Sequence, residues 1–128
     1  MQRKTISKQI RQRVYEKYRG RCAYCGSAIE YKDMQVDHLV PLYNGGADDG
    51  ENMMPACRSC NHYKRASSLE VWRKQLEAAT KTLARDCYTY RNAVRFGQVT
   101  ETPHKVVFYF ERRCMIETRE KELRKLRA

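Results

Sequence analysis

The sequence predicts an α+β fold: a small zinc-stapled core of two strands and a helix, flanked by an N-terminal helix, a long helix, and a C-terminal strand and helix. Three observations lead there. Two Cys-x-x-Cys pairs, Cys22 with Cys25 and Cys57 with Cys60, bracket one stretch of the chain. Between them, Val36 and Val40 favour extended backbone until Pro41 ends it. On either side, apolar residues recur at steps of three and four, the period of a helix.

The elements follow in order. From Ser7 to Arg19, the apolar Ile10, Val14 and Tyr18 share one helical face with Ile6, and Gly20 supplies the left-handed stop. Lys8, Arg11, Arg13, Lys17 and Arg19 occupy the other faces, either as a surface for phosphates or as an ordinary solvated face. Cys22-Ala23-Tyr24-Cys25-Gly26 reads as a metal-knuckle turn and Met34 to Val40 as a strand. Asn44-Gly45-Gly46 marks a turn that Asp48-Asp49-Gly50 extends into a loop. A second short strand falls around Met53-Met54, and a helix opens at Cys60. Ser67-Ser68-Leu69-Glu70 reads as a capping box with Ser67 as the cap.

Leu69, Trp72, Leu76, Ala79, Leu83, Cys87, Tyr90 and Val94 then mark the buried stripe of one long helix ending near Phe96-Gly97. Cys87 lies on that stripe and reads as a packed thiol. Val106 to Phe110 is β-branched and aromatic enough for a strand, and Glu111 to Arg127 is a charged, solvated helix. With no repeat or low-complexity linker, residues 1–128 are expected to form a single domain, with its core at about 20–66 and a helical and strand extension at 67–128.

The formal charge of +11, from 26 Lys and Arg against 15 Asp and Glu, points to a polyanionic partner, because a positive field attracts phosphates and gains from counterion release. Solubility alone is served by a net charge of magnitude about 2 to 8. No apolar run follows the basic Met1-Gln2-Arg3-Lys4, and no stretch approaches the length that spans a bilayer, so no membrane partner is expected and the expected location is cytoplasmic. In that compartment, paired cysteines favour metal over disulfides. Four thiolates from Cys22, Cys25, Cys57 and Cys60 close a tetrahedral zinc site with no open position, which makes this Zn²⁺ structural.

Inside the bracket stand Asp37-His38, then Asn52, then Asn61-His62. Adjacent residues on an extended strand face opposite ways, so Asp37 and His38 reach one site only if the strand ends or bends there. Cys-x-x-Cys, Asp-His-x-x-Pro-Leu, a Gly-Gly loop, Glu-Asn and Cys-x-x-Cys-Asn-x-x-Lys, taken together over about residues 10 to 66, resemble the HNH endonuclease family, the zinc-containing branch of the ββα-metal (His-Me finger) nucleases. More loosely, the remainder is similar to small phage-associated HNH proteins, which would place the chain in a host cytoplasm.

The resemblance implies a metal-dependent DNA endonuclease. His38 would be the general base. Asp37 would be a ligand of a catalytic Mg²⁺ or Mn²⁺, Asn52 would hold the loop and orient His38 through its backbone, and Asn61 would be the second metal ligand, with His62 the runner-up. Many members have His where Asn61 stands. Arg58, Lys64, Arg65 and the amides of Gly45 and Gly46 would contact the backbone of double-stranded DNA. Two other readings follow: a junction-resolving phage nuclease, which calls for a dimer, and a non-cleaving zinc-bound module that binds DNA or protein as a counter-defence protein.

Overall fold

The computed structural model describes residues 5–127, and contacts divide the chain into two compact units, Met1–Ser68 with Val107–Ala128, and Leu69–Val106. In the first unit, helix α1 spans Lys8–Lys17. Ser7 caps it by accepting a hydrogen bond from the Ile10 amide, and Gly20 follows at a φ of 76°. Val14 faces inward, where it packs with Met34 and Met53, and Ile6, Tyr15, Ile29 and Val36 close over them. Each such side chain contributes roughly 1.5–3 kcal/mol when fully buried. The cluster is small, so a metal staple has much to add.

Strand β1 (Gln35–His38) pairs antiparallel with β2 (Met53–Ala56), Asp37 opposite Met54 and His38 opposite Met53. Helix α2 (Arg58–Lys64) follows at once, with Cys57 as its N-cap. The two strands and helix expected from sequence are therefore present, but β1 is shorter than the predicted Met34–Val40. The reason is Asn52, whose side chain takes both the N–H and the C=O of Val40 and so occupies the groups a longer ladder would need.

Two expectations of the extension are corrected. The predicted strand at Val106–Phe110 is instead the entry to helix α6 (Tyr109–Arg127). The Glu111 carboxylate accepts from the Phe108 amide while the Phe108 carbonyl accepts from Glu111 and Arg112, which closes a helical turn against the β propensity of the run. What survives of the edge is two backbone bonds, from Tyr109 to the Tyr24 carbonyl and from Phe110 to that of Ala23.

In the second unit, the single long helix is three: α3 (Leu69–Glu77), α4 (Ala79–Asp86) and α5 (Tyr88–Arg95). Cys87 sits at the second break with extended backbone, and the Arg91 guanidinium takes the carbonyls of Ala84 and Arg85 that end α4. The helix start also differs: α3 begins at Leu69, and Glu70 pairs with Arg73 on its own helix. Among the described residues, no helix is long and apolar enough to cross a membrane.

Candidate metal centre and active site

Two knuckles meet at one end of the first unit. The Sγ atoms of Cys22, Cys25, Cys57 and Cys60 all lie within 4.8 Å of one another, and those of Cys25 and Cys57 are 3.8 Å apart. A tetrahedral zinc with Zn–S of about 2.3 Å needs S···S edges of roughly 3.8 Å, so the four sulfurs fit the ion. All four cysteines are free of disulfides. Their protons are shared: the hydrogen bond with Cys60 holds the Cys22 thiol down at about 4, and the same bond, with burial, pushes Cys60 up. Such crowding of thiolates is what a divalent cation relieves.

Beta-strand β1 ends at His38, the condition under which Asp37 and His38 can serve one site. Asp37 is buried. Its Oδ2 receives the Tyr24 hydroxyl and lies 2.9 Å from Lys64 Nζ. Burial first, and the Asp37 charge second, push the Tyr24 phenol up, so it stays a donor. Both contacts fall on one oxygen, which leaves Oδ1 as the atom that Asp37 offers to anything else.

His38 is held from three sides. Its Nε2 is 2.9 Å from Asp48 Oδ1, its carbonyl accepts from Lys64 Nζ at 3.1 Å, and the backbone just beyond it is fixed by Asn52. Asn52 makes three side-chain bonds, two to Val40 and one to the Ala47 carbonyl, and its own carbonyl accepts from the Leu39 amide. These bonds tie Val40, two residues beyond His38, to Ala47 and Asn52. Asn61 is half-buried on the first turn of α2, and its amide makes no side-chain hydrogen bond among the described residues. His62 is exposed.

Three expected phosphate contacts are corrected. Lys64 is fully buried and spends its ammonium on Asp37 and His38, so it cannot reach a DNA backbone. The Gly45 and Gly46 amides donate to the carbonyls of Leu42 and Pro41 within the turn, so neither is free for phosphate. Gly46 is there because a Cβ would stand 1.9 Å from the Val40 carbonyl oxygen. Arg58 and Arg65 remain exposed at the two ends of α2. On α1, Arg11 donates to the Tyr31 and Met34 carbonyls, and Lys17 to those of Gly50, Glu51 and Met53, so two of its basic residues are structural clamps.

Sequence reasoning missed Tyr24, Asp48 and the clamp role of Lys17. In the sequence, Tyr24 and Asp48 stand only as knuckle and turn residues. Lys64 did carry a signal, since it follows Cys60 by four residues and so shares the inward face of α2.

Fold and site together define a ββα module pinned by a cysteine tetrad, with a histidine at the end of its first strand. Residues 22–67 match the family model described as HNH endonuclease. Over 54 residues, 41% of this chain, the sequence is 37% identical to the CRISPR-associated endonuclease Cas9 of Corynebacterium diphtheriae. Over 69 residues, 48% of the chain, it is 32% identical to YoqL, an SPbeta prophage-derived protein of Bacillus subtilis described as an HNH endonuclease. The fold is similar to that of the type II-C Cas9 enzyme from Actinomyces naeslundii, with a TM-score of 0.50 and 29% identity over 59% of this chain and 9% of that one. The matched part spans 5% of the length of the diphtherial Cas9 and 30% of YoqL. This segment, residues 22–67, is thus similar to HNH endonucleases, and the chain spans less than a third of the length of these curated relatives.

Proposed function

We propose that the protein is a metal-dependent DNA endonuclease in which His38 is the general base of phosphodiester hydrolysis. The observation that carries this reading is the fixing of His38, whose ring is held by Asp48 and whose carbonyl is held by Lys64 before any substrate arrives. His38 takes a proton from water as the water oxygen bonds to phosphorus. The bond from phosphorus to the leaving sugar oxygen breaks, and that oxygen takes a proton from solvent.

Asp37, through Oδ1, and Asn61, through its amide oxygen, are the residues that would hold Mg²⁺ or Mn²⁺, since both are hard oxygen donors and such ions keep several waters. Bound there, the ion supplies Lewis-acid stabilisation of charge building on the phosphate. Arg58 and Arg65 hold the backbone of double-stranded DNA without reading its sequence, and the charge of +11 supports a polyanionic substrate. Cys22, Cys25, Cys57 and Cys60 hold a structural Zn²⁺.

One observation favours a second reading, a non-cleaving zinc-bound module that binds DNA: Asp37 already has its charge met by Lys64 and Tyr24. Nicking of supercoiled plasmid with Mg²⁺ or Mn²⁺ separates the two. Cutting that disappears in His38→Ala and Asp37→Ala, with zinc content unchanged, supports the nuclease. Retardation of the plasmid in a gel, without cutting by any of the three, supports the module. Loss in His62→Ala as deep as in Asp37→Ala would move the second ligand from Asn61 to His62.

A further inference from the structure

We propose that Asp48 is a positioning residue for His38, fixing its ring as the tautomer protonated at Nε2 and so leaving Nδ1 as the nitrogen that takes the proton from water. The inference rests on the reading of His38 as the base and adds which nitrogen acts and what sets it. An ionised carboxylate only accepts hydrogen bonds, so at 2.9 Å from Asp48 Oδ1 the Nε2 atom must carry the hydrogen. In a neutral imidazole, the lone pair then lies on Nδ1.

Asp48 is placed by its neighbours. Before it, the Ala47 carbonyl accepts from the Asn52 side chain. After it, the Asp49 carboxylate accepts from the Glu51 and Asn52 amides, and Lys17 Nζ lies 3.4 Å from the Gly50 carbonyl and 3.2 Å from that of Glu51. The loop is therefore tied on both sides of the one residue whose side chain turns to His38. An ion pair with one partner about half exposed adds little to stability. Its effect falls on the ring: orientation before proton transfer, and a counter-charge for the imidazolium after it. Partners that orient a functional histidine from behind typically matter by roughly 10–100-fold.

The test uses the full, zinc-loaded chain with two readouts. Nitrogen-15 NMR of the His38 imidazole at a pH where the ring is neutral is expected to show hydrogen on Nε2 in the wild type and a mixture of tautomers in Asp48→Ala. In plasmid nicking, Asp48→Ala is expected to lower kcat on the order of 10–100-fold with KM changed by less than about threefold. Asp48→Asn, which retains an acceptor oxygen but no charge, is expected to restore the tautomer and part of kcat. A wild-type ring protonated at Nδ1, or an Asp48→Ala variant with the wild-type tautomer and kcat within about twofold, overturns the proposal. If neither the wild type nor His38→Ala cuts, the nuclease reading fails instead, and the tautomer spectra still decide whether Asp48 sets the ring.

Discussion

Lys64 offers the sharpest test of the packing. Its ammonium is fully buried, 2.9 Å from Asp37 Oδ2 and 3.1 Å from the His38 carbonyl. Lys64→Met keeps the length of the stem and removes the charge, stranding the Asp37 carboxylate with Tyr24 as its remaining donor. Breaking a buried pair by removing one partner costs about 3–5 kcal/mol, because the surviving charge is left uncompensated. At roughly 4 °C per kcal/mol for a chain of this size, Tm should fall on the order of 12–20 °C. The double variant Lys64→Met with Asp37→Asn removes both charges and should recover most of that loss, since Asn still accepts from Tyr24. Calorimetry of zinc-loaded protein at fixed zinc measures all three. A cost below about 1 kcal/mol for Lys64→Met, the size expected for an exposed pair, would refute the reasoning.

Other outcomes follow from the same contacts. Cys57→Ser should reduce bound zinc, measured by elemental analysis, from about one per chain toward none, and should unfold the β1–β2–α2 region by circular dichroism, since such sites supply on the order of 10 kcal/mol of apparent folding free energy. Gly46→Ala should disorder the turn after β1, because the added carbon meets the Val40 carbonyl oxygen at 1.9 Å; amide hydrogen exchange at Leu39 and Val40 should quicken at least tenfold. Lys17→Met strips one donor from three carbonyls and should cost about 1–3 kcal/mol in urea unfolding. At neutral pH, a Lys17 substitution without measurable cost would show that these clamps are incidental.

Much of the centre was legible because its rules are local. The spacing of four cysteines announces a tetrad, and Pro41 and the Gly-Gly turn bound the short strand on one side. What escaped depends on which group wins a backbone partner. Apolar periodicity runs unbroken through Cys87, yet Arg91 takes the carbonyls of Ala84 and Arg85 that a continuous helix would have used. Val106 to Phe110 has strand composition, yet the Glu111 side chain starts a helix there. Lys64 was expected at the surface because lysines are almost never fully buried unless paired, and its pairing with Asp37 depends on strand and helix meeting. Asn52 stood out in the sequence because of its place in the motif; Asp48, whose carboxylate lies 2.9 Å from His38 Nε2, had no such landmark.

Helix α2 is seven residues long, about 10 Å from end to end. It begins beside the sulfur cluster and finishes at the amine that grips the His38 carbonyl. That makes it a short strut with its foot in the tetrad: unfastening the sulfurs frees the far tip, and the grip on the His38 carbonyl goes with it. Chelation strong enough to empty the tetrad should therefore abolish cutting as it loosens the β1–β2–α2 region.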